Sequence, residues 1–269
     1  LLSLMFGQLS NRESLRDLIV ALDAHHSKCY HLGMGRNVSR SSLARANGDR
    51  DYHIFEAYAY YLVNEARQKR VTDIFKLGGN VYAFDSTTID LCLSVFWWAK
   101  FRKKKGGIKV HTLYDVETQI PAFFHITEAS VHDSKVMNEI PYEPGSYYIF
   151  DRGYNNFKML YKIHQIEAYF VVRAKKNLGY KSIQWKRRLP RNVLSDASVL
   201  LTGFYPKQYY PEPLRLVKYW DEEQEREFTF ITNAMHISAL QVAELYKNRW
   251  QVELFFKWLK QHLKIKRFW

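Results

Sequence analysis

The first seventy positions carry apolar side chains at helical spacing. Steps of three and four predict a helix from Glu13 to about His26. Ser39 and Asp51 are suited to begin two further helices, because a short polar side chain can accept free N–H groups of a first helical turn. We therefore predict a small helical region over residues 1–72. Four arginines recur along it and make it a candidate DNA-binding segment: Arg36, Arg40, Arg45 and Arg50.

From position 80 the chain changes to alternating and β-branched runs. These predict strands over 81–90, 106–116, 119–129 and 146–151, then a helix over 155–166 and a strand over 168–176. The order β-β-β-α-β-α-β describes a mixed sheet of the ribonuclease H type. Three more strand-like runs, 197–205, 214–220 and 226–232, fall in a segment that separates this sheet from the last helix.

The predicted fold is therefore α/β. A small helical domain over residues 1–72 precedes a ribonuclease H-like catalytic domain over residues 73–269. An all-β insertion at about 176–237 interrupts the catalytic domain.

The composition is that of a globular protein, with 47% hydrophobic residues in 269. The longest apolar run, near residues 91–99, is far shorter than the ~20 residues of a membrane span. We expect a soluble, cytoplasmic protein without a membrane partner. Only Cys29 and Cys92 are present and they form no CxxC pair, so a metal would be bound through oxygen. A chain that begins with Leu and stops inside a helical pattern suggests a piece of a longer reading frame.

The formal charge of +13 is concentrated in three segments. Residues 98–109 hold six Lys and Arg and no acid, residues 175–191 hold seven and no acid, and residues 241–269 hold seven against two acids. The remainder of the chain is net acidic. Aromatic residues between these cations are suited to stack on bases, so the pattern favours a nucleic-acid partner. Solvated charged faces and ordinary aromatic packing are the alternative interpretation.

Two aspartates each follow a run of strand character, Asp85 in "AFDST" and Asp151 in "YYIFDRGY". Open sheets place ligand sites at such strand ends. Asp is also a common strand terminator, because its side chain caps turns. Asp90 and Asp115 lack an equally good strand end and are reserve candidates.

A third carboxylate, Glu253, lies in a predicted helix near the end of the chain. On that helix it shares one polar stripe with Tyr246, Arg249, Lys257 and Lys260. Surface salt bridges would explain the stripe equally well. If the three acids converge, they would form an oxygen cage for Mg²⁺, and two such ions can catalyse phosphodiester displacement.

The spacing Tyr246-x-x-Arg249-x-x-x-Glu253, followed after six residues by Lys260, resembles the Y-R-E-K signature of bacterial insertion-sequence transposases of the family numbered four. Asp85 and Asp151 resemble the first two catalytic aspartates of these DDE enzymes. The β insertion before the final glutamate is also typical of the family. The likeness covers nearly the entire chain.

The resemblance implies a DNA transposase that cuts at terminal inverted repeats and joins the 3′ ends to target DNA by two-metal phosphodiester transfer. Asp85, Asp151 and Glu253 would bind Mg²⁺, with Mn²⁺ as the alternative. The implied DNA contacts are Tyr246, Arg249, Lys260, Lys257, Arg173 and Lys175. It also implies a homodimer in the synaptic complex, a nucleoid-associated location, and a flipped base stacked on Trp185 or Trp220.

Two other functions use the same residues. A metal-dependent nuclease would cut without strand transfer, and an inactive remnant of a transposase would only bind DNA. His132 and Asp133 lack the spacing of a metal motif, so we predict a structural or supporting role for them. Ser86 lies outside a G-x-S-x-G turn, which argues against a nucleophilic serine.

Overall fold

The computed structural model describes residues 1–34, 38–69, 74–91, 100–102 and 105–262, with side chains for 1–34, 38–69, 74–90 and 106–262. It divides into two compact units, Leu1–Asn64 and Glu65–Trp269. The domain boundary predicted between residues 72 and 73 falls outside the described residues. Within the described ranges, no helix combines the length and apolar character that a membrane crossing requires.

The first unit is helical, as its sequence pattern predicts. Its helices are α1 (Leu2–Leu9), α2 (Leu15–Ala24), α3 (His26–His31), α4 (Arg40–Asp49) and most of α5 (His53–Lys69). Ser39 caps α4 by accepting the N–H of Ser42 at 3.1 Å, which is the predicted role. The helix predicted to run to His26 instead ends at Ala24. The core of this unit comprises Leu18, Leu22, Cys29 and Leu43.

The described strands of the second unit form one ten-stranded sheet. They are β1 (Val81–Leu91), β2 (Lys100–Arg102), β3 (Lys105–Asp115), β4 (Ile120–Glu128), β5 (Tyr147–Phe150), β6 (Tyr169–Arg173), β7 (Tyr180–Trp185), β8 (Val193–Leu201), β9 (Leu214–Asp221) and β10 (Arg226–Thr232).

The first half of this sheet has the mixed arrangement predicted for a ribonuclease H-like core. β1 pairs antiparallel with β3, which in turn pairs antiparallel with β4. On the other side of β1, β5 and then β6 run parallel to it. Where the predicted order has a helix between the third and fourth strands, the structure has a short 3₁₀ helix, Asp133–Asn138.

The inserted segment continues the same sheet rather than forming a separate one. β10 pairs antiparallel with β6, and β9, β8 and β7 follow outward. The segment is mainly β, but it contains one helix that the pattern does not predict, α7 (Phe204–Tyr209). The strand predicted over 197–205 therefore ends at Leu201. Pro206 lies in the first turn of α7, where its missing N–H has no helical partner to lose.

Helices cover both faces of the core sheet. Successive side chains of its strands point to opposite faces, and apolar residues occupy both. α6 (Phe157–Gln165) packs on the side of Tyr82, Phe84 and Phe150. α8 (Ala239–Lys247) and α9 (Trp250–His262) pack on the opposite side, among Val81, Ala83 and Ile149. Burying both faces explains why these strands read as nearly continuous apolar runs.

Candidate catalytic site

Strand register brings the two predicted aspartates together. In the parallel pair of β1 and β5, Phe84 lies beside Phe150. The residues that follow them are Asp85 and Asp151, and neighbouring strands lie only about 4.8 Å apart. Because side chains alternate between faces, Asp85 continues the series of Val81 and Ala83 toward the face that α8 and α9 cover.

The predicted single helix at the end of the chain is two helices, α8 and α9, separated at Asn248 and Arg249. The side-chain amide of Asn248 donates to the Glu244 carbonyl at 2.9 Å and accepts from the Gln251 amide at 2.8 Å. A side chain that enters the hydrogen-bond ladder in this way interrupts a helix. Tyr246 consequently lies on α8, Arg249 in the break, and Glu253 in the first turn of α9.

Arg249 joins two of the three acids. Its Nη1 donates to Asp85 Oδ2 at 3.0 Å, and its Nη2 donates to Glu253 Oε1 at 2.5 Å. The side chain is only 13% exposed, so these contacts form in a poorly hydrated place. A third nitrogen, Nε, is buried and has no hydrogen-bond partner among the described residues. Arg249 therefore retains donor capacity for a further acceptor.

Tyr246 brings the third acid into the same network. Its hydroxyl donates to Asp151 Oδ1 at 2.8 Å, and its ring lies 5.8 Å from the Arg249 guanidinium carbon. Burial would raise the pKa of Asp151, but hydrogen bonds from the Arg152 backbone and the Tyr246 hydroxyl outweigh it and lower the pKa. Asp151 is therefore a stable carboxylate at neutral pH.

Asp85 differs from Asp151, because burial raises its pKa from the usual 3.8 to about 6. The hydrogen bond from the Ser86 backbone and the charge of Arg249 oppose this rise without cancelling it. The two neighbouring aspartates thus have pKa values shifted in opposite directions. Such divergent shifts are typical of functional sites.

The raised pKa of Asp85 predicts that the stability of the folded protein depends on pH. A raised carboxyl pKa means that the native state holds the proton more tightly than the unfolded state, so this contribution is full below about pH 4 and is lost as the pH rises through about 6. Asp85→Asn removes the loss. We expect the variant to be more stable than the unchanged chain at pH 7, by on the order of 1–3 kcal/mol. Denaturant unfolding of both proteins from pH 4 to pH 8 measures the difference in their free energies of unfolding. A difference that stays constant over this pH range would contradict the prediction.

The chemistry of the site fits a divalent cation, because three carboxylates offer the hard oxygen donors that Mg²⁺ prefers. Among the residues that the structure describes, no three His, Cys, Asp or Glu side chains are grouped closely enough to hold a metal ion as they stand. The three acids contact Arg249 and Tyr246 instead. A cation shared by Asp85 and Glu253 therefore requires Arg249 to leave them.

Of the other predicted DNA contacts, Arg173 lies nearest to the acids. It ends β6, its guanidinium lies 4.9 Å from the centre of the Phe228 ring, and its charge helps to lower the pKa of Asp151. Lys175 follows β6 and is exposed. Lys257 is exposed on α9, one turn after Glu253, and Lys260 is half-buried there.

A cavity of about 760 Å³ adjoins the network and shares Tyr246, Arg249 and Arg173 with it. Aromatic rings line it, including Tyr219 and Phe228. Neither Trp185 nor Trp220 lines this cavity; both are exposed residues of the insertion. Charged side chains of both signs line it as well, among them Asp221, Glu223 and Arg226.

The remaining candidates have other positions. Asp115 is buried and accepts the N–H groups of Glu117 and Thr118, which is a turn-forming role. Asp90 is exposed on β1. Asp133 accepts the Ser86 hydroxyl at 2.9 Å, next to Asp85. No sequence motif joins Ser86 to Asp133, which lies in the 3₁₀ helix after β4, so only the tertiary structure reveals this contact.

Comparison with known proteins identifies the family. The Transposase DDE domain family matches residues 76–268, and the chain belongs to it. Residues 1–35 match a second family, described as a domain of unknown function (DUF4372). The prediction of a DDE transposase of the bacterial insertion-sequence type is confirmed, and so is the fold class. The assignment to family four stays a prediction.

Individual relatives carry the same description. A Sinorhizobium fredii protein named as the transposase y4zB is 38% identical over 68% of this chain and 52% of its own length. A Geobacillus stearothermophilus protein named as the transposase for insertion sequence element IS5377 is 29% identical over 67% of this chain and 48% of its own. The chain therefore spans about half the length of these relatives. A piggyBac transposase synaptic complex with hairpin DNA matches 66% of this chain and 40% of its own, at 11% identity and TM-score 0.41.

Proposed function

We propose that the chain is the catalytic part of a DNA transposase that cuts at the terminal inverted repeats of an insertion sequence and joins the 3′ ends to target DNA. One observation carries the proposal: Asp85, Asp151 and Glu253, from two strands and a helix, enter one network around Arg249 and Tyr246. Family membership and relatives named as insertion-sequence transposases support the same class of reaction.

In this proposal, Asp85, Asp151 and Glu253 hold divalent ions, Mg²⁺ or Mn²⁺. Bound ions supply an activated water and stabilise the leaving oxygen of an in-line displacement. Before that, Arg249 shares its single positive charge between Asp85 and Glu253 and so reduces the repulsion between them. Tyr246 orients Asp151 through its hydroxyl. In this proposal, the carboxylates take up cations only once Arg249 has left Asp85 and Glu253.

Arg249 is suited to exchange carboxylates for a DNA phosphate. Its Nε is a buried donor without a hydrogen-bond partner among the described residues, and guanidinium groups bind phosphate through paired donors. Lys257, Lys260, Arg173 and Lys175 extend the cationic surface on both sides. In this proposal they hold the strand whose phosphodiester is cut, within a homodimer that brings two ends together.

An assay on end DNA tests the proposal. Labelled duplexes that carry the two ends of the encoding element are mixed with the chain, a target plasmid and Mg²⁺. We expect cleavage at the ends and joined products, both lost when EDTA removes the metal. Cleavage without joined products would indicate a nuclease. Binding without cleavage would indicate a DNA-binding protein that lacks catalytic activity.

Lys257 provides a prediction about binding alone. Each lysine that contacts phosphate releases a counterion, so Lys257→Ala should weaken binding to all duplexes about equally and reduce the slope of log K against log salt by about 1. Lys162→Ala is the matched control, because Lys162 is exposed on α6, against the other face of the sheet. Fluorescence anisotropy over a salt series measures both slopes. Equal slopes for the two variants would exclude Lys257 from the DNA surface.

A further inference from the structure

A second polar cluster lies behind Asp85. Ser86 follows Asp85 on β1, so its side chain points to the opposite face of the sheet. There it contacts Asp133, which in turn contacts Lys109 and His111. None of these side chains has a part in the reaction proposed above. Their contacts nevertheless lead back to Asp85.

The first link joins Ser86 to Asp85. The Ser86 N–H donates to Asp85 Oδ1 at 2.8 Å, while Arg249 holds the other oxygen, Oδ2. Each oxygen of the Asp85 carboxylate therefore accepts one hydrogen bond. If Arg249 transfers to a phosphate, as the proposed function requires, the contact from Ser86 is the one that still orients Asp85.

The second link joins Ser86 to Asp133. The Ser86 hydroxyl donates to Asp133 Oδ1 at 2.9 Å, and the same oxygen accepts from Lys109 Nζ at 3.0 Å. Lys109 also donates to the Val131 carbonyl at 2.8 Å. The Lys109 side chain is only 16% exposed, so its ammonium group is largely shielded from water and these two acceptors are its partners. Asp133 is thereby tied to β3 through Lys109 as well as to β1 through Ser86.

The geometry around Asp133 is fixed locally as well. Asp133 begins the 3₁₀ helix Asp133–Asn138, and His132 caps that helix by accepting the N–H of Ser134. His111 is fully buried, and its Nδ1 lies 3.9 Å from Asp133 Oδ1. Because burial lowers the pKa of His111 to about 4, it is neutral at physiological pH and Lys109 is the cation that pairs with Asp133.

We propose that Asp133, with Lys109 as its charge partner, is a positioning residue for the metal-binding carboxylate of Asp85. It holds the Ser86 hydroxyl and thereby fixes the Ser86 backbone, whose N–H binds Asp85 Oδ1. This inference rests on the proposed function, because it assumes that Asp85 binds the metal. Groups bonded directly to a metal ligand typically change metal affinity or activity 10–100-fold when removed, and Asp133 acts one residue further away, so we expect the lower end of that range.

Binding of Mn²⁺ tests the inference without measuring catalysis. The free ion is counted by electron paramagnetic resonance in the presence of the chain and a random-sequence duplex. We expect Asp133→Ala and Ser86→Ala each to weaken Mn²⁺ binding about tenfold, and the double variant to be no worse than either alone. Ser86→Thr keeps the hydroxyl and should retain affinity. Asp90→Ala, on the exposed end of β1, is the matched control.

Thermal unfolding of each variant separates positioning from loss of the fold. If Asp133→Ala does not fold, Ser86→Ala tests the same link without uncovering the Lys109 charge. The inference is overturned if Asp133→Ala and Ser86→Ala bind Mn²⁺ as tightly as Asp90→Ala while Asp85→Asn does not. If Asp85→Asn also binds Mn²⁺ like the unchanged chain, or if the unchanged chain binds no Mn²⁺, both the inference and the proposed function are contradicted.

Discussion

Glu253→Gln is expected to reduce Mg²⁺-dependent cleavage of end DNA by about 10³-fold, with DNA binding retained. Gln has nearly the same shape as Glu and still offers Arg249 an amide oxygen, so the first turn of α9 should persist. What disappears is a negative charge beside Asp85, and with it an oxygen ligand of the strength that a divalent ion requires. The initial rate of strand cleavage measures the loss, and anisotropy measures binding.

Glu167→Gln is the matched control for this variant. Glu167 is an exposed residue that follows α6, on the opposite face of the sheet from α9, and it does not line the cavity beside the three acids. It makes the same change in net charge. If the two variants cleave at the same rate, Glu253 takes no part in the reaction, and the proposed function loses its third carboxylate.

Much of the fold follows from apolar runs in the sequence. β1 as far as Phe84 and all of β5 are buried on both faces, and such runs of β-branched and aromatic residues predict strands well. Asp85 lies within β1, and Asp151 follows β5. The inserted segment is harder to predict from its sequence. β7 (Tyr180–Trp185) is an exposed edge strand rich in polar residues, so no buried face imposes a pattern on it. The helix Phe204–Tyr209 follows β8 after only two residues, Thr202 and Gly203, so the pattern shows no clear boundary between strand and helix.

The sequence predicts which acids belong to the site better than it predicts the contacts between the side chains. Spacing and resemblance singled out Asp85, Asp151 and Glu253, and the parallel register of β1 and β5 explains why two of them meet. The role of Arg249 between Asp85 and Glu253 could not be predicted, because it depends on the break between α8 and α9. The contact of Ser86 with Asp133 spans 47 positions and depends on tertiary packing.

Arg249→Ala should change metal binding and catalysis in opposite directions. Removing the guanidinium leaves Asp85 and Glu253 without their cation, and an unpaired carboxylate couple attracts a divalent ion more strongly. We expect the DNA-free variant to bind Mn²⁺ about tenfold more tightly, a size consistent with one neighbouring charge. Cleavage of end DNA should nevertheless fall by about 10²-fold, because the phosphate contact is lost.

Two further variants make this result specific. Lys162→Ala removes an exposed cation of α6, against the opposite face of the sheet, so it should leave Mn²⁺ affinity and cleavage unchanged. Arg249→Lys keeps a charge, but a single ammonium lacks the fork that reaches Asp85 and Glu253 together. Its Mn²⁺ affinity should lie between those of the unchanged chain and Arg249→Ala. If Arg249→Ala binds Mn²⁺ no more tightly than the unchanged chain, Arg249 does not compete with the metal, and its bridge between the two acids is only structural.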